Sequence, residues 1–70
     1  MTGEQLKLYL ENEKVVKNQL ALAMGVSKQV LYHYLTCANV STNVLEAIAK
    51  GLNTAPENLY AEMREKGYLD

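Results

Sequence analysis

One short segment of the chain, residues 27–36, is rich in side chains that hydrogen-bond. At about 100° per residue, a helix through this segment has one face made only of hydrogen-bonding groups. These are Lys28, Gln29, Tyr32, His33 and Thr36. A Lys ammonium can pair with O6 and N7 of guanine, and a Gln amide with N6 and N7 of adenine. This face is therefore suited to contacting base edges, although an exposed polar face with no partner would show the same pattern.

The opposite face of the same helix is mainly apolar. It carries Val30, Leu31, Tyr34 and Leu35, which predict packing against a core. Val30 lies at the border of the two faces, where it can also touch a thymine methyl group.

The charge of the chain is unevenly distributed. The net charge is −1, but no Asp or Glu occurs between Lys14 and Leu45. The same window holds three lysines, Lys14, Lys17 and Lys28, and the only histidine of the chain, His33. An acidic partner can therefore approach the middle of the chain without meeting like charge. Chance clustering in a short sequence is the alternative.

Other chemistries have little support in the sequence. His33 and Cys37 stand four residues apart, which is the spacing of half a metal site or of a thiol–imidazole pair. No third ligand or orienting carboxylate lies near them in sequence, and 70 residues are too few to enclose a pocket. We therefore expect no metal, no cofactor and no enzymatic activity.

The length and composition point to one small soluble domain, residues 1–70. Residues 1–13 lack the basic start and apolar run of a signal peptide. No stretch approaches the roughly 18 apolar residues of a membrane span, so we expect no membrane partner. The lone Cys37 suits a reducing compartment, which predicts a cytoplasmic protein.

Five short helices and no strand are predicted, so the fold class is all-α. The helices cover about residues 3–13, 17–24, 27–35 and 43–50, with a fifth after Thr54. Thr2 with Gln5 predicts a capping box, Ser27 an N-cap, and "TAPE" a second capping box. We expect Gly25, Gly51 and Gly67 to end helices, because Gly tolerates the left-handed conformation.

Apolar positions recur on one side of each predicted helix. They are Leu6, Tyr9 and Leu10; Leu20, Ala21 and Met24; Val44, Leu45, Ile48 and Leu52; and Leu59, Tyr60 and Met63. Leu22 falls opposite the stripe of the second helix. We expect the final Tyr68 and Leu69 to fold back on the fifth helix or to contact a second subunit.

The second and third helices, joined at Gly25, form a helix-turn-helix over about residues 17–35. Here the chain resembles the phage repressor and Cro helix-turn-helix family. The family pattern is a Leu-Ala pair, a Gly, a small apolar residue, a Ser or Thr cap and a later Leu. It is matched by Leu20-Ala21, Gly25, Val26, Ser27 and Leu31. The similarity continues through "NVLEAIAKGLNTAPENLY" and covers about residues 6–60, which implies a compact five-helix repressor-like bundle.

This resemblance implies a sequence-specific regulator of transcription that binds double-stranded DNA, with a recognition helix over about residues 27–35 in the major groove. The implied base contacts are Ser27, Lys28, Gln29 and His33, to which the polar face adds Tyr32. The implied phosphate contact is Lys17 at the start of the second helix, and Lys14, Thr36 and Asn39 are further candidates. A homodimer is expected, because one recognition helix reads few base pairs.

The sequence departs from the family at two places. An Arg–Glu pair that the family often has is replaced by Leu10 and Leu35, which preserves the fold because packed apolar side chains can replace a buried ion pair. The segment "TCANVSTN", where the family usually carries basic residues, has no Lys or Arg. About three charge contacts per monomer then predict a log–log salt slope of about −3, or of about −5 to −6 for a dimer.

A protein-binding role is the alternative reading. A helix-turn-helix can act as an antirepressor or modulator that binds another regulator protein. The absence of a basic loop, the exposed Leu22 and the aromatic residues Tyr32, Tyr34 and Tyr60 favour it, since Tyr is enriched at protein interfaces. Binding to duplex DNA at two salt concentrations would distinguish the two readings.

Overall fold

Five helices make up the computed structural model, which describes residues 1–69. They are Gly3–Asn12 (α1), Lys17–Met24 (α2), Lys28–Tyr34 (α3), Thr42–Gly51 (α4) and Pro56–Glu65 (α5). No strand occurs among these 69 residues, so the predicted all-α, five-helix fold is confirmed. No helix within residues 1–69 has the length and apolar character needed to cross a membrane.

Side-chain caps start three of the helices, at Thr2 and Ser27 as predicted and also at Ser41. Thr2 Oγ1 accepts a bond from the Gln5 amide at 3.1 Å, and Gln5 Oε1 accepts one from the Thr2 amide at 2.8 Å, which completes a capping box. Ser27 and Ser41 each accept a hydrogen bond from the amide three residues on, at 3.2 and 3.3 Å. Since each cap satisfies a backbone donor that the helix leaves free, local sequence is enough to set these boundaries.

The end of α4 was predicted wrongly. Gly51 lies inside the helix, Leu52 is the C-cap, and Asn53 takes the left-handed conformation with φ 59°. A Cβ atom on Gly51 would lie 2.6 Å from Met24 Cγ and 2.9 Å from Leu20 Cδ1. Glycine is therefore required here for the close approach of α4 to α2, and not for a turn.

The second predicted capping box is also wrong. The N-cap of α5 is Ala55, which forms no side-chain cap, and Pro56 takes the first turn. Thr54 lies one residue too early because its amide donates to the Ala49 carbonyl at 2.9 Å and completes the end of α4. The fixed φ of Pro56 is enough to start the helix.

All five helices contribute to one buried core. Its members are Leu6, Tyr9, Leu10, Leu20, Ala21, Leu31, Leu35, Ile48, Ala49, Leu59 and Met63. Helix α2 packs on α3 and α4, and α4 packs on α5. Leu10 and Leu35, at the positions of the family's ion pair, are both fully buried. Burying such a side chain stabilises the fold by about 1.5–3 kcal/mol.

Two residues assigned to apolar faces lie outside the core. Val30 is 38% exposed and Tyr60 is 44% exposed. Each flanks a buried residue, Leu31 or Leu59, and projects from the edge of the apolar stripe. Leu22 is 81% exposed, in agreement with its position opposite the stripe of α2.

Tyr68 folds back on α5, as expected, and it also reaches α1. The Tyr68 ring meets the Tyr9 ring edge-on, with centroids 5.5 Å apart, and Asn12 Nδ2 donates to the Tyr68 hydroxyl at 2.7 Å. The Tyr68 amide still bonds to α5, through the Met63 carbonyl at 2.9 Å. The chain after α5 thus joins α5 to α1.

Polar contacts reinforce the α1–α5 contact. The Tyr9 hydroxyl donates to the Glu62 carboxylate, and the Lys66 ammonium lies 3.2 Å from Glu62 and 3.0 Å from Glu13. The hydrogen bonds from Tyr9 and Lys66 lower the pKa of Glu62. Burial, followed by the bond to Glu62, raises the pKa of Tyr9.

Candidate nucleic-acid interface

Helix α3 presents a fully polar face to solvent. Leu31 is buried on its inner side, as is Leu35 at the C-cap. The side chains that the sequence placed on the opposite face are all exposed: Lys28, Gln29, Tyr32 and His33. Because the core fixes the inner side, this polar set points away from the rest of the chain.

Ser27 has a structural role in addition to its predicted contact. Its hydroxyl oxygen accepts the Val30 amide at 3.2 Å and so caps α3. The hydroxyl proton is still available to donate, since a hydroxyl both donates and accepts. Ser27 is exposed at the end of α3 that carries Lys28 and Gln29.

An open groove adjoins this face where α1, α2 and α3 meet. We call it the lysine groove; its lining residues are Glu11, Lys14, Val15, Val16, Lys17, Asn18, Lys28 and Tyr32. The structure therefore brings together four predicted contact residues, Lys14, Lys17, Lys28 and Tyr32. The three ammonium groups give the groove a positive charge that suits an anion.

The turn between α1 and α2 sets the positions of Lys14 and Lys17. Lys14 has a φ of 59°, a left-handed conformation that is uncommon for residues other than glycine. The Val15 amide then donates to the Leu10 carbonyl at 2.9 Å, which closes α1. This reversal places Lys17 Nζ 3.1 Å from Glu11 Oε2, although the two residues are six apart in sequence.

The start of α2 has no side-chain cap. Its N-cap is Val16, whose side chain has no polar atom, and its first turn carries no acidic residue. The first amides of the helix are left without an intrahelical acceptor and carry the positive end of the helix dipole. Such a helix start favours a phosphate, and Lys17 lies at its first position.

The two neutral phosphate candidates lie on the loop after α3. The Thr36 hydroxyl donates to the His33 carbonyl at 3.1 Å, so its proton is already engaged within the chain. Asn39 is exposed, and within residues 1–69 only its backbone carbonyl, 3.3 Å from Cys37 Sγ, takes part in a hydrogen bond. A phosphate offers only acceptors, so Asn39 has a free side-chain donor for it, whereas Thr36 would have to break its present bond.

The sequence did not identify Lys7 as part of this surface. Its ammonium lies 5.9 Å from the centre of the Tyr32 ring, a cation–π contact that joins α1 to the exposed face of α3. Lys7 is distant from α3 in sequence, and the helical pattern of α1 indicates only that it lies beside the apolar stripe. No sequence signal would have found it, because the contact depends on how α1 packs on α3.

The thiol and the imidazole are not arranged as a pair. Cys37 Sγ lies within hydrogen-bonding distance of two backbone carbonyls, those of Tyr34 at 3.1 Å and Asn39 at 3.3 Å, between which its single proton is shared. Within residues 1–69 no group of three or more His, Cys, Asp or Glu side chains is placed to hold a metal ion.

Residues 5–61 match the family model described as a Cro/C1-type HTH DNA-binding domain. The match covers most of α1, all of α2, α3 and α4, and part of α5. The chain belongs to this Cro/C1-type family. The predicted resemblance is thereby confirmed, and with it a DNA-binding role for the Cro/C1-type domain. No curated protein and no solved structure matched the chain.

Because the chain belongs to a DNA-binding family, the lysine groove and the polar face of α3 are together the candidate surface for contacting DNA. Helices α2 and α3 follow each other with only a short turn between them, in which Gly25 is left-handed with φ 72°, and this is a helix-turn-helix arrangement. The five residues that the sequence selected as base contacts are all exposed on it: Ser27, Lys28, Gln29, Tyr32 and His33.

Proposed function

We propose that this Cro/C1-type domain is a sequence-specific regulator of transcription, of the repressor or Cro kind, that inserts α3 into the major groove of double-stranded DNA. The observation that carries the proposal is the exposure of Lys28, Gln29, Tyr32 and His33 on one face of α3, backed by a buried apolar face. A helix of this width fits the major groove, where base edges carry a distinct pattern of donors and acceptors.

Different parts of the surface have different roles in this proposal. Gln29 and Lys28 read base edges, with Ser27, Tyr32 and His33 beside them. Lys14 and Lys17 of the lysine groove hold backbone phosphates, and Thr36 and Asn39 add neutral contacts. Contacts to phosphate fix the position of the protein on the duplex, and contacts to bases give the sequence preference.

We also propose that the domain acts as a homodimer in the cytoplasm. A single α3 of seven residues reaches only a few base pairs, and a two-fold arrangement of two copies doubles the sequence that is read. The proposal predicts a binding site with two-fold sequence symmetry, with half-sites separated by about one helical turn of DNA.

Selection from random duplexes tests the proposal directly. The full chain is mixed with a pool of random double-stranded DNA, bound duplexes are recovered, and the sequences are compared over successive rounds. We expect a consensus with two-fold symmetry. Enrichment of no sequence would contradict the specific role, and a consensus without symmetry would contradict the dimer.

A protein-binding role is the second candidate, and one observation favours it. Large apolar side chains are exposed on both helices of the helix-turn-helix, Leu22 at 81% and Tyr32 at 53%, and Tyr is enriched at protein interfaces. Titration of the chain with duplex DNA at about 50 and 200 mM salt separates the candidates. DNA binding that weakens steeply with salt supports the regulator, and no binding at the lower salt supports a module that binds another regulator protein.

A further inference from the structure

The lysine groove contains its own anion. Among the residues that line it in the described part of the chain, Glu11 alone is acidic, and its Oε2 lies 3.1 Å from Lys17 Nζ. The side chains of the two residues remain 46% and 27% exposed. Incoming DNA can therefore reach both partners of this ion pair.

A DNA phosphate and the Glu11 carboxylate compete for the same ammonium. Both present anionic oxygens, and an ammonium has three donors on one compact charge. Lys17 opens α2, whose N-cap Val16 gives no side-chain bond to the helix amides. The helix start adds positive potential at the lysine, and this potential attracts either anion.

We propose that Glu11 is a positioning residue that lowers the affinity of the lysine groove for DNA, because it holds the Lys17 ammonium until a backbone phosphate displaces it. The inference rests on the proposed DNA-binding function and adds a residue that tunes the affinity for DNA. Glu11 lies outside the helix-turn-helix, on α1, so α1 takes part in setting how tightly the domain binds.

The proposal has a definite salt dependence. Salt screens an exposed ion pair, so the cost of separating Glu11 from Lys17 falls as salt rises. Removing the Glu11 charge should therefore strengthen DNA binding most at low salt, and the advantage should shrink at high salt. It should be the same on all sequences, since a phosphate contact carries no sequence information.

The test compares Glu11→Gln with Glu4→Gln. Both variants remove one carboxylate from α1, but Glu4 does not line the lysine groove and forms no ion pair within residues 1–69. Dissociation constants are measured by fluorescence anisotropy on a labelled duplex that carries the selected consensus and on a scrambled duplex of equal length. At about 50 mM salt we expect Glu11→Gln to bind both duplexes about 5-fold more tightly, and Glu4→Gln to change by less than about 2-fold.

A double-mutant cycle with Lys17→Gln isolates the pair. In the Lys17→Gln background, Glu11→Gln should give no more gain than Glu4→Gln, because the ammonium that Glu11 holds is gone. A full gain in that background would overturn the proposal and show that Glu11 acts only by general repulsion. Urea denaturation of each variant checks that the fold is unchanged, which the exposure of the pair leads us to expect.

The outcomes distinguish a failure of the proposed DNA-binding function from a failure of the proposed role of Glu11. If the wild-type chain binds neither duplex at about 50 mM salt, the proposed function fails. If it binds both and Glu11→Gln behaves like Glu4→Gln, or binds more weakly than the wild type, only the role of Glu11 is overturned.

Discussion

The backbone amide of Gly3 donates a 2.9 Å hydrogen bond to the carbonyl oxygen of Cys37, which fastens the start of α1 to the turn after α3. The Val40 amide donates to the Met1 carbonyl at 2.9 Å and adds a second bond between the same segments. The N-terminal residues therefore hold the loop that carries Thr36 and Asn39. The position of those two side chains depends on residues that would not contact DNA themselves.

Replacement of Gly3 should be costly. A Cβ atom there would lie 2.7 Å from the carbonyl carbon of Leu35 and 2.9 Å from the carbonyl oxygen of Cys37, and backbone atoms cannot rotate away as a side-chain tip can. We expect Gly3→Ala to lower the free energy of unfolding by about 1–3 kcal/mol in urea denaturation. Asn43→Ala, at an exposed site in the first turn of α4, is the control and should change it by less than about 0.5 kcal/mol. Equal values for the two variants would show that the end of α3 yields to the new methyl group.

Gln29 should govern sequence preference. Gln29→Ala should leave the fold intact and reduce discrimination between the consensus and a site with one altered base pair by about 1–3 kcal/mol, because the amide pairs with a base edge. The measurement is the ratio of dissociation constants on the two duplexes. Gln19→Ala, which removes an exposed amide from α2, is the matched control and should keep the wild-type ratio. A loss of affinity that is equal on all sequences would mean that Gln29 does not read a base.

Lys28 should contribute more salt dependence than Lys17. Lys28 is exposed and has no ion pair within residues 1–69, whereas Lys17 gives up Glu11 to reach a phosphate. Lys17→Ala should weaken binding equally on all sequences, whereas Lys28→Ala should also reduce the preference for the consensus, because Lys28 is proposed to read a base edge. Lys28→Ala should flatten the log–log salt slope by about one per monomer, and Lys17→Ala by less. A larger change for Lys17→Ala would indicate that Glu11 does not restrain it.

Lys7 should act as an additional cation of the interface. Its ammonium lies beside the exposed ring of Tyr32, 5.9 Å from the ring centre, so a phosphate that passes Tyr32 would meet it. Lys7→Gln should weaken binding by about 3-fold at low salt on every duplex. Lys50→Gln, on α4 and away from the lysine groove, carries the same charge change and should weaken binding less. Similar effects of the two changes would leave Lys7 outside the interface.

Acid should weaken the contact between α1 and α5. The hydrogen bonds from Tyr9 and Lys66 hold the pKa of Glu62 below its unfolded value, so the folded state binds fewer protons than the unfolded state as pH falls. The stabilisation from Glu62 is complete above the unfolded pKa of about 4.3 and is lost as pH falls through the folded pKa. Urea denaturation between pH 7 and pH 3 should show this loss in the wild type and a shallower loss in Glu62→Gln. Glu65→Gln, one turn further along α5, should retain the wild-type steepness.

The sequence predicted what local chemistry determines and missed what packing determines. The caps at Thr2 and Ser27 and most positions of the apolar stripes depend on residues a few positions apart, and these were confirmed. Val30 and Tyr60, at the edges of the stripes, are exposed. The role of Gly51 and the N-cap at Ala55 depend on contacts with other elements, and both were predicted wrongly.

The candidate site shows the same division. The helical period was enough to predict which side chains α3 exposes. The Glu11–Lys17 ion pair forms because the chain turns at Lys14 in a left-handed conformation. Since that position is not a glycine, the sequence did not predict the turn. The approach of Lys7 to Tyr32 required the placement of two helices that are separated in sequence.

The absence of a side chain at Gly51 also affects how α2 is held. Leu20 and Met24 lie against it, and the same helix α2 carries Lys17 at its other end. A bulkier residue at position 51 would have to displace the Leu20 and Met24 side chains or, where they cannot repack, shift α2 together with Lys17. Positions 20, 24 and 51 are therefore sterically coupled, so that a larger side chain at position 51 calls for smaller ones at positions 20 and 24.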